Sequence, residues 1–456
     1  MSNNKLILIL GFSFFSILSL AQNKKIKNDK NATVSILKYG AVGDGVTDNS
    51  AAFEKAIVYC IKNNKTLYVP KTKKSYNIAK TIRVALSKND KIRILSNQAL
   101  ITAGNIENSS AYNLTTFREH IFLSLGRKIN SIKKAEKVDQ YTGTQISISG
   151  LVFDGIKQKY PDQILSFDND IYIGVQLIAE RVTLTDCVFK NIFGYGIRIH
   201  EVSDSRVERC KFLNVGGRGA TLFANKIDID GLGDAIYHAK VNENANILIN
   251  DCQIVGKKYN NKRSRCAITF EYSKFPYKVK LEKLSISGFA KCLHIEETSA
   301  GIFHINNVNM VDFNFGIANV LNDNAEIYLN NCSMKVGYND GNDNGDALAF
   351  LNYRSKAKIY VKKSVLSFNG RKYAYQSVVG LKKVENSIID GNNTNLFFAD
   401  GNTIFSSCKF TNFGGDRVSF SSNNPKDEYT IENSEFSGIH ISLLKSNAKL
   451  NIKNSK

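Results

Sequence analysis

Three of the six histidines in this chain fall close to charged residues in short alternating strands. The segments are Ile197-Arg198-Ile199-His200, Ile268-Thr269-Phe270-Glu271 and Leu293-His294-Ile295-Glu296. Successive strand residues point to opposite faces. If Ile197, Ile268 and Leu293 point inward, then Arg198, Thr269 and His294 point out, as do His200, Glu271 and Glu296 two positions on. Tyr237 and His238 fall near the same strip, with Asp234 in a turn just upstream. Two chemistries suit such a strip. Glu271 and Glu296 are 25 residues apart; stacked on neighbouring strands they would lie about 4.8 Å apart. Two close carboxylates resist ionising together, so one is held as an acid, an arrangement that suits a retaining glycosidase. Alternatively, His200 or His238 removes a proton beside a uronate carboxylate neutralised by Arg198, which is β-elimination. The competing reading is a solvated polar face with no chemistry. Lys257, Lys258, Lys262, Arg263 and Arg265 form a basic segment that can recognise carboxylates or sulfates as substrate subsites. The chain has no tryptophan, so sugar stacking falls to tyrosines such as Tyr237, Tyr259, Tyr272 and Tyr277.

Residues so far apart in sequence need a periodic scaffold to meet. The cysteines reveal one. Cys187, Cys210, Cys252, Cys332 and Cys408 each follow two polar or charged residues and precede any residue and then Phe, Ile or Met. The same slot holds Leu151, Leu284, Val308, Ser364, Ser387 and Ser434. From Leu151 the spacings are 36, 23, 42, 32, 24, 24, 32, 23, 21 and 26, five of them between 21 and 24. A rung of that length, with three short strands, suits a parallel β-helix. The 42-residue spacing reads as two rungs, with Ile227-Asp228-Ile229-Asp230 as the missing strand. The recurring slot predicts a buried ladder of small side chains and free thiols rather than disulfides.

The amino-terminal run Tyr39-Gly40-Ala41-Val42-Gly43-Asp44-Gly45-Val46-Thr47-Asp48-Asn49-Ser50-Ala51-Ala52-Phe53, continued by Ala56-Ile57 and Thr66-Leu67-Tyr68-Val69-Pro70, resembles the opening motif of the pectate lyase superfamily. Polygalacturonase-like proteins and phage tailspikes share this motif. The resemblance implies an all-β fold, a right-handed parallel β-helix solenoid with an N-terminal capping helix. It also implies carbohydrate chemistry by lyases, hydrolases or epimerases. Thr47 or Asp48 can N-cap a helix over 50–63 whose apolar face is Ala52, Phe53, Ala56 and Ile57. Asp44 and Asp48 are then structural. The hydrolases' Asn-Thr-Asp, Asp-Asp, Gly-His-Gly and Arg-Ile-Lys set is not found, so no catalytic residue is carried over. Asp228-Ile229-Asp230-Gly231 echoes only its first member.

The remaining features bound the setting. Lys5, the apolar run Leu6 to Leu20 and Ser19-Leu20-Ala21 read as a signal peptide over 1–21. One β-helix domain over 22–456 follows, with its cap motif at about 35–70, secreted or periplasmic. No later stretch reads as a membrane span. The formal charge of +20 favours an anionic polysaccharide as partner, and no nucleic-acid-binding motif is present. Excursions are expected at 104–145, 155–170 and in the basic segment. No cofactor is required by this reading, although Asp340, Asp343, Asn344 and Asp346 crowd a turn that can bind calcium. The expected function is cleavage of an acidic polysaccharide by β-elimination or hydrolysis, with a non-catalytic glycan-binding surface protein as the alternative.

Overall fold

The computed structural model describes residues 32–103, 106, 118–126, 142–157, 170–217, 233–258, 263–298, 300–322, 324–337, 348–353, 355–368, 376–378, 380–399, 402–421, 424–438, 440–443 and 448–456. Residues 1–21, read above as a signal peptide, Ile227 to Asp230, Tyr259, Lys262 and the calcium candidates Asp340 to Asp346 lie outside them. All strand pairings are parallel, and each strand pairs with the equivalent strand one rung away. The chain therefore winds as a right-handed parallel β-helix, the hand that parallel crossovers adopt. The ladder begins earlier than the repeat implies: Thr33–Ser35 already pairs with Thr66–Val69.

Each rung has three faces. The first is typified by Arg181–Thr185, Asp204–Glu208, Asn246–Asn250 and Tyr277–Glu282. The second comprises strands such as Val188–Ile192, Lys211–Val215 and Gln253–Gly256. The third comprises Gly194–His200, Asp234–Ala239 and Ser264–Glu271. In the next two rungs the second and third faces are one continuous strand each, Ser285–Glu296 and Asn309–Val320. Inward side chains stack on their own kind. Phe153, Phe189 and Phe212 lie with ring centroids 5.2 and 5.1 Å apart and planes within 9° of parallel.

The slot is the corner between first and second faces. The residue before it is left-handed in rung after rung: Asp186, Arg209, Asp251, Lys283, Asn307 and Asn331 all have φ between 51° and 55°. That conformation turns the chain sharply, and Asn and Asp tolerate it best among residues with a side chain. The slot residue then points in beneath the turn. Cys332 Sγ donates to the Ile305 and Asn330 carbonyls at 3.3 and 3.4 Å. Where serine fills the slot, it makes the same bond: Ser364 Oγ donates to the Lys362 carbonyl at 2.8 Å and accepts from Cys332 N at 3.0 Å. All eight cysteines are buried and free, and burial pushes the Cys408 thiol up to about 11.

Two expectations change. The strand Asp204–Glu208 pairs directly with Asn246–Asn250, and Lys211–Val215 with Gln253–Gly256. The 42-residue spacing is thus one rung carrying an excursion, not two rungs. The expected excursion over 104–145 contains the strand Arg118–Gly126, so His120 is a third-face residue paired with Tyr172.

The helix spans Ser50–Lys62 and buries Ala52, Phe53, Ala56, Ile57 and Cys60 against the first rungs. Asn49 is its N-cap residue but gives no side-chain cap. Asp48 does that work from one residue earlier: its Oδ1 accepts from Ser50 N, Ser50 Oγ and Ala79 N, tying helix to ladder. Asp44 accepts from the Val46 and Thr47 amides and the Thr47 hydroxyl, which holds its carboxyl down at about 2. Both aspartates are therefore structural. Among the described residues no helix is long and apolar enough to cross a membrane.

Candidate functional site

The third face carries the strip. Its register aligns Ser124, Gln176, Arg198, Tyr237, Thr269 and His294 in one outward column. A second column aligns His200, Ala239, Glu271 and Glu296. Alternation around the inward Ile197, Ile236, Ile268 and Leu293 produces both columns. In the order of the chain, the segments 104–117, 158–169, 218–232 and 338–347 each fall between a second-face strand and the third-face strand that follows it. The strip is outward but not solvated. Arg198, His200, Tyr237, Glu271 and His294 are all buried, and only Glu296 among the acidic and basic strip residues keeps a quarter of its side chain exposed.

Glu271, His294 and Glu296 come together. His294 Nε2 lies 2.8 Å from Glu296 Oε2 and 3.7 Å from Glu271 Oε1. The Tyr237 hydroxyl donates to Glu271 Oε2 at 2.8 Å. Burial pushes the Glu271 carboxyl up to about 7 against the opposing pull of Arg265; Asp234 adds to the rise and Glu296 contributes least. The sequence argument thus had the direction but not the main cause, which is desolvation rather than a second carboxylate.

His238 does not belong to the strip. It pairs with Ile199 and Phe270, both inward, and stacks on the Phe270 ring at 5.1 Å in the core. Its Nε2 meets Ser205 Oγ at 3.0 Å, and burial drives its pKa down to about 3. Adjacent strand residues cannot share a face, so Tyr237 and His238 could not both point out. Tyr277 is likewise a core residue, against Phe270 and Phe303. Tyr272 is half-buried at the left-handed corner after Glu271.

Four of the cations expected to meet substrate, Arg198, Lys258, Arg263 and Arg265, have carboxylates of their own. Arg198 makes a buried two-pronged pair with Glu119, at 2.8 and 3.0 Å, and donates to Gln176. Arg265 Nη1 reaches both oxygens of the fully buried Asp234 at 2.8 Å, with Nη2 3.6 Å from Glu271. Arg263 clasps Asp312 and Asn314 at the corner between second and third faces, and Lys258 joins Asp312 at 3.0 Å. The Lys257 carbonyl accepts from Ser264 Oγ. The basic segment is therefore largely corner bracing. Sequence reasoning missed Glu119, Gln176 and Tyr195, and placed Asp234 in a turn although it opens a strand. Tyr195 packs edge-on to Tyr237 and lies 5.4 Å beneath the Arg198 guanidinium. A carboxylate on the strand Arg118–Gly126 could have been suspected only once that strand was recognised. Of the other histidines, His120 Nδ1 meets the Ile106 carbonyl and its ring stacks on Tyr172, while His304 stacks on Tyr328 on the exposed first face.

No known family profile and no curated protein sequence matches the chain. Solved structures do. The surface adhesin PfbA of Streptococcus pneumoniae superposes with a TM-score of 0.56 at 16% identity, over 87% of this chain and 93% of that one. The N-terminal fragment of bacteriophage Phi29 gene product 12 gives 0.47 at 15% identity, over 97% and 73%. The catalytic unit of a GH87 α-1,3-glucanase from Streptomyces thermodiastaticus gives 0.39 at 10% identity, over 93% and 68%. The adhesin likeness supports the parallel β-helix expected from the amino-terminal motif. At such identity it speaks for the fold and assigns no family.

Proposed function

We propose that this protein is an exported enzyme that cleaves a polysaccharide by glycoside hydrolysis, with Glu271 as proton donor and Glu296 as the second carboxyl group. The observation that carries this reading is their geometry: Glu271 and Glu296 stand in one column on adjacent rungs, and one oxygen of each lies within 4.8 Å of the other. That closeness suits a retaining mechanism, in which the carboxyls sit about 5 Å apart, and leaves no room for the attacking water of an inverting one. Tyr237 fixes Glu271, and His294 holds Glu296 at the more open edge of the cluster. Burial that keeps a proton on Glu271 near neutral pH supports its role as the acid.

Hydrolysis is favoured over β-elimination because elimination needs a cation for the uronate carboxylate, and Arg198 and Arg265 already face Glu119 and Asp234. The basic composition still favours an acidic chain as substrate. The test is incubation with a panel of acidic and neutral polysaccharides, read by reducing ends and by absorbance near 235 nm. Reducing ends without absorbance are expected. Absorbance rising in step with reducing ends would replace hydrolysis by elimination. Saturable glycan binding without cleavage would favour a non-catalytic surface binding protein.

A further inference from the structure

We propose that Glu271, His294 and Glu296 form a binding site for one divalent ion of the zinc or manganese class, and that the ion switches the hydrolytic site off. The inference concerns the same cluster as the proposed reaction, but ion binding does not depend on that reaction taking place.

The register makes the donor set. Glu271 and Glu296 are direct ladder partners, and His294 stands two residues before Glu296 on the same strand and side. One donor atom from each lies within 4.8 Å of the others. An ion bound at about 2.0–2.2 Å from imidazole nitrogen and carboxylate oxygen holds its ligands roughly 3–3.5 Å apart. The present separations from His294 Nε2, 2.8 Å to Glu296 and 3.7 Å to Glu271, bracket that range. Small side-chain rotations suffice.

A second observation points at a ligand. Glu271 is almost fully buried, yet its Oε1 accepts no hydrogen bond among the described residues. Arg265 Nη2 lies 3.6 Å and His294 Nε2 3.7 Å from it. A buried acceptor left unmatched is costly, so this oxygen has most to gain from an ion. The other oxygen is held by the Tyr237 hydroxyl, as outer partners commonly orient a ligating carboxylate.

Charge agrees. Asp234 and Arg265 balance one another. What remains is two carboxylates and an imidazole able to be neutral, a set that a doubly charged ion neutralises. Imidazole with two carboxylates suits zinc or manganese better than calcium, which takes six to eight oxygens. An ion seated here occupies the carboxyl oxygens that proton donation and nucleophilic attack require, so it inhibits rather than assists hydrolysis.

The experiment is calorimetric titration of the chelator-treated, folded protein with zinc chloride and manganese chloride, with calcium chloride as comparison. One zinc or manganese ion per chain is expected, with calcium binding at least 100-fold more weakly. Glu296→Gln, at the exposed edge, and the near-isosteric Glu271→Gln each remove a direct ligand and should weaken binding by about 100-fold or more, beyond the cost of losing an outer partner, with an unchanged circular dichroism spectrum. No saturable zinc or manganese binding to the wild type, or binding that survives both variants, would overturn the site. Polysaccharide cleavage by chelator-treated protein separates the two proposals. Cleavage without ion binding removes the ion site alone. Cleavage that requires the ion removes both the inhibitory role and Glu271 as proton donor, while the site stands.

Discussion

At the scale of single residues, alternation along a strand decides which side chains can do chemistry. It assigned Arg198, His200, Glu271, His294 and Glu296 to one outer strip, and the ladder places them there. It was not carried through for His238, which was set near the strip together with its neighbour Tyr237 although adjacent strand residues face opposite ways. What the alternation could not supply was burial or partners, since Glu119 and Asp234 reach the strip's arginines from positions far off in sequence. Glu271→Gln and Glu296→Gln should each lower turnover on a verified substrate by about 100-fold or more. His200 lies two rungs from Glu271 and packs edge-on to Tyr237, so His200→Phe should retain far more activity than either; equal losses would move the centre towards His200. His238 sets a different test. Its folded pKa lies near 3, below the ordinary value of 6.5. Its stabilising contribution is therefore complete above about pH 6.5 and lost as pH falls through that value towards 3. His238→Phe should flatten this acid limb in urea-melt midpoints measured from pH 8 to pH 4. An unchanged limb would mean that other groups govern it.

At the scale of the element, the corner between first and second faces is the unit that repeats. Its period was legible because the slot combines a left-handed residue, an inward small side chain and a following apolar strand. The 42-residue spacing was misread because a spacing alone cannot distinguish a second rung from an excursion; strand pairing does so, as in Asp204 with Asn246 and Lys211 with Gln253. Asn331 has φ 53°. Asn331→Val should therefore cost about 1–2 kcal/mol, whereas Asn331→Gly should be close to neutral, by chemical denaturation. The corner also explains why cysteine and serine interchange along the ladder, since Cys332 and Ser364 make the same bond to the carbonyl two residues back. Thiol titration in denaturant without reductant should recover all eight cysteines. Fewer than three free thiols would mean that bridges form between rungs.

At the scale of the molecule, solenoid and cap were both legible, because the motif at Tyr39 to Phe53 is a local signal and the slot is one repeated many times. The strip's burial and pairing were not, because they depend on residues far apart in sequence, such as Glu119 with Arg198. The ladder bonds join rung to rung, so they run along the long axis rather than across it. Tension applied between the two ends of the described ladder, Thr33–Ser35 and Lys449–Lys453, therefore meets those bonds one rung at a time, like tape lifted from a surface, rather than many at once in shear. Single-molecule stretching should show a staircase at low force. Each step for an excursion-free rung such as Glu271 to Glu296, 25 residues, releases about 90 Å of chain at roughly 3.6 Å per residue. Rungs with long excursions should give longer steps, and a single abrupt rupture of the whole body would contradict the geometry. Load on this molecule is thus absorbed by yielding in instalments from an end, while rungs in the middle, where Glu271 and Glu296 sit, are the last to part.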